Sequence, residues 1–297
     1  MIVARIEGGL GNQLFQYAFG TQLANQHQTE LVLDLSAYAN KPPHGYLLNS
    51  FSIGARELKI DEIKRIPERY RTGKRSILNA IAFGKDEFRL LRERRFGFSP
   101  NYMRAPDDSY LVGYWQSDRF FRDVESSIRS QFKPSVSLSV ETRQIQERML
   151  NSSSIAIHIR RGDYITAKPM AVRNLGLGYY KKCIEMQLER RPNSEVYVFS
   201  NDIAWCRENL NLNCPIHFVD HNSTASANED LWLMTAAESI IIANSTFSWW
   251  GAFLGNRRDR IVYAPAHWFH PNTLDDRDLN CHRWLLVGES VLDRKAA

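Results

Sequence analysis

The sequence predicts an α/β protein with two Rossmann-like lobes, and three observations carry that expectation. At 297 residues the chain exceeds what one small core organises, and two units of about 150 residues are the natural prior. Its first 35 residues read as strand, glycine turn, helix and strand. From residue 154 onward short apolar runs alternate with helix-length segments, the pattern of a parallel sheet covered on both faces.

In order along the chain, "MIVARI" and "ELVLDL" are expected as strands around the helix-like "NQLFQYAFGTQLANQ". "YLVGYWQ" reads as a further strand and "DRFFRDVESSIRSQF" as an amphipathic helix. Serine and proline then break the pattern twice, in "KPSVSLSV" and near "LNSSS". We place the lobe boundary at the second break, giving lobes 1–150 and 151–297. The second lobe is more regular. Strand-like "SIAIHIR", "EVYVFS", "PIHFVD", "SIIIAN" and "RIVYAP" alternate with helix-like "GYYKKCIEMQLERR", "IAWCRENL", "EDLWLMTAAE" and "FSWWGAFLG".

Composition excludes several classes. Hydrophobic residues at 43% and charged residues at 24% are those of a globular domain, not of a disordered chain. Arg5 and Glu7 interrupt the first segment, so no secretory signal is expected, and no run approaches the roughly 18 apolar residues of a membrane helix. Cys183, Cys206, Cys214 and Cys281 form no C-x-x-C pair, so neither a zinc site nor a disulfide framework is indicated. A reducing cytoplasm fits, which makes the sequons at Asn151, Asn222 and Asn244 accidental. The formal net charge of +5 favours anionic ligands. Residues 60–104 hold twelve basic side chains, read either as a solvated face or as a patch resting on an anionic membrane surface.

Two strand ends carry chemistry. In "SIAIHIRRGDY", Ile155, Ile157 and Ile159 share one strand face, and Arg160 stands where the strand runs out. In open α/β sheets ligands bind just beyond the carboxyl ends of strands. A salt bridge from Arg160 to Asp163 is the structural alternative. In "SIIIANSTFSWWGAFLG" an apolar strand gives way to Asn244, Ser245 and Thr246 and then to a helix. Ser and Thr there serve as N-caps, and the same geometry aims amides and hydroxyls at an anion. An arginine-ended strand and a hydroxyl-rich helix start in one parallel sheet point to a diphosphate, which suits the planar guanidinium fork. The "GGLGNQ" turn with Asp34 is a partial dinucleotide fingerprint, because Leu14 replaces the third glycine. It leaves an NAD-dependent Rossmann dehydrogenase as an alternative. A sequence pI of 9.0 leaves a non-catalytic nucleic-acid binder as another. Asp276-Arg277-Asp278 has the spacing of a metal-binding DxD but lies in a polar tail, where a solvated loop is expected.

Taken together, "HIRRGDY", "GGLGNQLFQYAFG", "GYWQS", "FSNDIAWC", "EDLWLM" and "NSTFSWWGA" resemble the bacterial α-1,2-fucosyltransferases of glycosyltransferase family eleven. The blocks run in the family's order from residue 8 to about 252. The resemblance implies a GT-B-like architecture, two Rossmann-like lobes facing a cleft, with the acceptor on the first lobe and GDP-fucose on the second. It implies inverting transfer of L-fucose to the 2-hydroxyl of a galactoside, in an oligosaccharide or lipid-linked glycan of surface polysaccharide such as O-antigen. No cofactor and no divalent metal are implied. Carried over, Arg160 would contact the β-phosphate and serve as the catalytic charge. His158 and Asp230 would lie near guanine and ribose, and Ser245, Thr246 and Phe247 would form the phosphate turn. Asn12 would reach across from the first lobe, and Arg161 and Asp163 would brace the strand exit. Where many relatives carry His-Gly, this chain reads "AVRNLGLGYY", with Arg173 and Asn174 at that place. Glu7, Asp34 and Asp163 remain open as general bases.

Overall fold

The computed structural model describes residues 1–39, 44–64, 66–68, 70, 88–161, 171–223 and 226–288. It divides into two compact units, Met1–Lys133 and Pro134–Ala297. The units part at the first of the two serine-rich breaks, 17 residues before the expected 150/151 boundary. The reason is the helix Val140–Asn151, which belongs to the second unit. Its first turn is bonded there: the Ser139 hydroxyl donates to Glu229 at 2.7 Å, and Thr142 Oγ1 lies 2.8 Å from His221 Nε2.

Among the described residues unit 1 has five strands, β1 (Ile2–Arg5), β2 (Leu31–Asp34), β3 (Arg56–Glu57), β4 (Arg89–Arg92) and β5 (Ser109–Val112), and the helices α1 (Leu10–His27), α2 (Ile60–Ile63) and α3 (Glu125–Gln131). The order is β3-β2-β1-β5-β4 and every pairing is parallel. β1 and β2 are fully apolar up to their last residues and form the centre of the core. Helix α1 starts where Gly8, at φ 81, turns the chain and Gly9 takes the extended N-cap position. It is buried on nearly every side, so its glutamines must find partners inside the protein. Gln13 donates to the carbonyls of Gly8 (2.9 Å) and Gly45 (2.8 Å) and accepts from the Leu47 amide (2.9 Å). The amphipathic helix expected over 118–132 is two short 3₁₀ turns followed by α3, because the adjacent Phe120 and Phe121 both enter the core.

Unit 2 has the strands β6 (Ser154–Ile159), β7 (Glu195–Ser200), β8 (Ile216–Phe218), β9 (Ser239–Ile241), β10 (Ile261–Pro265) and β11 (Leu285–Val287). Its helices are α4 (Val140–Asn151), α5 (Leu177–Arg190), α6 (Ile203–Asn209), α7 (Ala227–Ala236) and α8 (Thr246–Leu254). The all-parallel order is β11-β10-β9-β6-β7-β8. Helix α8 buries Trp249 and Trp250 completely, and truncating either to alanine would cost about 3–5 kcal/mol. Arg260 fastens α7 to α8 by donating to the carbonyls of Thr235, Met234 and Gly251, at 2.8, 2.8 and 3.2 Å. A side chain at Gly255 would meet that guanidinium at 1.4 Å.

Both sheets start from a central strand and grow to either side of it. In unit 1 the chain builds outward from β1 through β2 and β3, then crosses to lay β4 at the opposite edge and β5 between β4 and β1. In unit 2 it builds from β6 through β7 and β8, then lays β9 on the other side of β6. Such switch points open a crevice between two diverging loops at the strands' carboxyl ends. No helix among the described residues is long and apolar enough to cross a membrane.

Candidate functional site

The crevice of unit 2 lies between the loops that leave β6 and β9, and it collects most of the residues expected from the sequence. His158 and Ile159 end β6, followed by Arg160 and Arg161. Asn244 and Ser245 follow β9 and lead into α8. The His158 imidazole sits 5.5 Å from the Phe247 ring, which joins the two sides. His158 is 3% exposed, and its Nδ1 has no hydrogen-bond partner among the described residues. Burial first, and the neighbouring charge of Arg160 second, push its pKa down to about 3, so the ring is neutral at pH 7.

Arg160 is partly buried at the strand exit. Arg161 is fixed on the other side of the chain: its amide donates to Asn201 Oδ1 at 2.9 Å, and its guanidinium lies 3.4 Å from Asp202 and 3.5 Å above the Trp205 ring. Asp202 also caps α6 by accepting from the Trp205 amide at 3.2 Å. Three residues of "FSNDIAWC" therefore hold Arg161, Asn201 by its backbone and Asp202 and Trp205 by its side chain. Asp163 lies outside the described residues.

Across the crevice, Ser245 is the N-cap of α8, in extended conformation and without a side-chain cap bond. Its hydroxyl does not do the work of an N-cap side chain, while the first-turn amides of a helix point outward and carry its positive dipole end. Asn244, 3% exposed, holds the turn by donating to the carbonyls of Arg173 (2.7 Å) and Trp268 (3.0 Å). Sequence reasoning singled out Arg173 as a departure and missed this anchor. The signal was the asparagine of "NST", read only as part of a helix start.

Asp230 is in the first turn of α7, which follows the carboxyl end of β8. β8 lies two strands from β6 in the sheet, about 10 Å at roughly 4.8 Å per strand. Asn222 donates to it at 2.7 Å. Burial pushes its pKa up to about 6, with Asn222 and His221 opposing and Glu229 assisting.

Asn12 belongs to unit 1, in the first turn of α1, where its Oδ1 accepts from Gln116 Nε2 at 2.9 Å. Asp34 does not stand ready for a ribose. It is 1% exposed and accepts from the Ser36 amide at 2.8 Å and from the Tyr110 hydroxyl. That removes the acidic partner a dinucleotide site needs at the end of β2. In the tail, Asp276 accepts from the Trp268 amide at 2.7 Å and Arg277 pairs with Asp275, so the DxD spacing is a folded loop. Among the described residues no group of His, Cys, Asp or Glu is arranged to hold a metal ion. All four cysteines are free thiols. Arg65, Arg69, Arg71, Lys74, Arg75 and Lys85 of the basic stretch lie outside the described residues.

Comparison with known proteins follows the same lines. The family model described as glycosyl transferase family 11 matches residues 1–287. An α-1,2-colitosyltransferase of Escherichia coli is 31% identical, over 97% of this chain and 99% of its own. The Escherichia coli O-antigen biosynthesis glycosyltransferase WbnK is 33% identical over 90% and 94%. Galactoside alpha-(1,2)-fucosyltransferase 2 of Mus musculus is 26% identical over 83% and 66%. Among solved structures, NodZ α-1,6-fucosyltransferase soaked with GDP-fucose matches with a TM-score of 0.53 at 15% identity, covering 88% of this chain and 94% of that one. The α/β, GT-B-like fold expected from the sequence is the fold these neighbours share.

Proposed function

The chain belongs to glycosyl transferase family 11, and from that premise we propose that it transfers L-fucose from GDP-fucose to the 2-hydroxyl of a galactoside, with inversion. The observation that carries this reading is the unit 2 crevice, where Arg160 follows β6 and the N-terminus of α8 follows its neighbour β9. A guanidinium and a helix start on opposite lips suit a diphosphate. Asp230, in the helix after β8, two strands from β6, is spaced for the nucleoside end and accepts from a guanine N–H group. Neutral His158 offers a ring nitrogen to the ligand without adding charge.

In the step itself the acceptor oxygen attacks the anomeric carbon and forms the new glycosidic bond. The bond from that carbon to the β-phosphate oxygen breaks, and GDP leaves with the electron pair. Arg160 and the α8 amides offset the charge that grows on the leaving group, and they do so without a divalent ion. The acceptor hydroxyl proton passes to a base that we do not assign in this crevice. The product belongs to surface polysaccharide such as O-antigen, made on the cytoplasmic side.

One observation favours a second donor: the curated relative aligned over nearly the full length of both chains transfers colitose. Colitose is fucose without its 3-hydroxyl, so both donors share the GDP site and the α-1,2 geometry. The test is incubation with GDP-fucose and GDP-colitose in parallel, over a panel of β-galactosides, with the product linkage read by NMR. Transfer of fucose to O2 supports the reading. Transfer from GDP-colitose alone replaces the donor, and transfer from neither overturns the proposal.

A further inference from the structure

The loop that leaves β8 carries three polar residues in a row, and each is bound to a different helix. Asp220 accepts from Arg207 of α6. His221 Nε2 lies 2.8 Å from Thr142 Oγ1 of α4, a residue wholly buried. Asn222 donates through Nδ2 to Oδ1 of Asp230, on α7, at 2.7 Å. The last bond is the one that touches a residue of the candidate site, and the first two hold its donor in place from either side. Asn222 is thus ordered before any ligand arrives.

What that bond does follows from the groups around Asp230. Burial disfavours its charged form, and the Asn222 N–H opposes burial because it donates to the carboxylate. His221 acts in the same direction as Asn222, whereas Glu229 acts against it. Glu229 stays ionised: against the cost of burial, hydrogen bonds from Thr142 and Ser139 hold its carboxyl below the ordinary value. It accepts from the Ser139 amide at 3.2 Å and the Ser139 hydroxyl at 2.7 Å. Asp230 therefore carries a second negative charge next to a fixed one. The helices packed on α7 offer little relief. α8 has no titratable side chain, and Glu141, Arg143, Glu147 and Arg148 of α4 are exposed. Arg257 and Arg260 bind carbonyls at the far end of α7, and Asp220 is taken up by Arg207. One neutral amide does most to keep this carboxylate an acceptor.

Charge at this position decides what the site can recognise. An ionised carboxylate only accepts, so it pairs with the N–H donors of a guanine edge, while the protonated acid also donates and loses that selectivity. We propose that Asn222 is a positioning residue for nucleotide recognition: by holding Oδ1 of Asp230 it keeps the carboxylate a charged acceptor and leaves Oδ2 for a guanine N–H. The role rests on the reading above, in which Asp230 meets the guanine.

The test is calorimetry of GDP binding to the full-length protein from pH 5 to pH 8. It compares wild type, Asn222→Ala, Asn222→Asp, Asp230→Asn and the double variant Asn222→Ala with Asp230→Asn. A lost hydrogen bond to a charged group is worth at least about tenfold, or about one pH unit. Asn222→Ala should therefore move the midpoint at which GDP affinity falls upward by about one pH unit, so that affinity drops about fivefold at pH 6 and much less at pH 8. Asn222→Asp keeps the shape, adds a like charge, and should move the midpoint further in the same direction. In the Asp230→Asn background, Asn222→Ala should change affinity less than about twofold, because the role is exerted through Asp230. A midpoint that stays in place in both folded variants, while Asp230→Asn abolishes the fall, overturns the role and leaves the guanine reading standing. An equal loss in both backgrounds at every pH overturns it as well, since a merely structural loop residue would give that result. A wild type that does not bind GDP, or whose pH profile Asp230→Asn leaves unaltered, overturns the guanine reading and this role with it.

Discussion

The β6/β9 crevice of unit 2 and the β1/β5 crevice of unit 1 share a topology and differ in chemistry. Each opens where a parallel sheet grows to either side of its central strand, and each is followed on one side by the start of a helix, α8 or α1. Unit 2 lines its crevice with Arg160 and a helix start, and fastens it through arginines. Arg161 lies on Trp205, and Arg260 ties α7 to α8 from behind. Unit 1 lines its crevice with Glu7, Tyr38 and Tyr114 and fastens it through the amides of Gln13, Gln16 and Gln116. The topology fixes where a ligand goes, and the few residues past each strand decide what it is. Positive charge at the first suits an anion, whereas the second carries aromatic rings and a carboxylate that Arg5 balances.

The comparison breaks most sharply at Arg160. Arg160→Lys keeps the charge at the strand exit but loses the two-pronged geometry, so kcat should fall by roughly 10² to 10³ with circular dichroism unchanged. Turnover should also survive EDTA. Near wild-type turnover of the lysine variant, or activity lost to EDTA and restored by manganese, would move the charge-balancing role away from this crevice.

Next in size is Gln13, whose three bonds converge on the loops behind the unit 1 crevice. Gln13→Leu keeps the volume, removes all three, and should cost about 2–4 kcal/mol at roughly 1 kcal/mol per bond. The loss should appear in the melting of unit 1, while calorimetry still finds GDP bound to unit 2. Loss of GDP binding would show that the crevices are not independently built.

A smaller effect is expected from Asp230. Its pKa of about 6 is raised, so the free site holds an ionised carboxylate above that pH and a neutral acid below it. If the carboxylate accepts from guanine, GDP affinity is full above about pH 7 and falls about tenfold by about pH 5. The nucleotide phosphate titrates nearby, with a pKa of about 6. Asp230→Asn supplies the control, because it retains only the phosphate contribution. Wild type should also prefer GDP over ADP and UDP by at least about tenfold. Identical pH profiles for wild type and variant would remove Asp230 from the site.

The smallest effect belongs to the brace. Trp205→Leu removes the ring under Arg161, an interaction worth about 0.5–1 kcal/mol, and should lower kcat less than about fivefold. Trp205→Phe should recover most of it. A loss as large as that of Arg160→Lys would make Arg161 a ligand contact.

Unit 2 was the more legible half in the sequence for a physical reason. β6 and β9 are buried on both faces, so they read as unbroken apolar runs, and the arginine at the end of β6 stands out against them. In unit 1 the edge strands β3 and β4 are Arg56-Glu57 and a leucine pair between arginines, which carry no such pattern. β11 was missed likewise, with Leu285 and Leu286 exposed at the sheet edge. The site divided in the same way. Charged residues next to apolar runs were visible, whereas Glu93, Gln116 and Asn244 bond to groups about 20 to 100 residues away, and nothing local marks them. The boundary shifted because Val140–Asn151 is held by side-chain bonds to Glu229 and His221, which no hinge-like composition reveals.

The indoles of this protein form a built-in optical instrument. Of seven tryptophans, Trp115 alone lies in unit 1, and the other six lie in unit 2. Emission therefore reports chiefly on the second unit, and replacing Trp115 by phenylalanine would silence the first almost completely. Trp249 and Trp250 stand with ring centroids 5.0 Å apart at 73°, close enough for their excited states to couple and give a paired signal in circularly polarised absorption. Both belong to the first turns of α8, so that signal tracks the helix whose N-terminus lines the crevice. A cuvette without label or ligand analogue then suffices to watch the packing of that helix as the protein is heated.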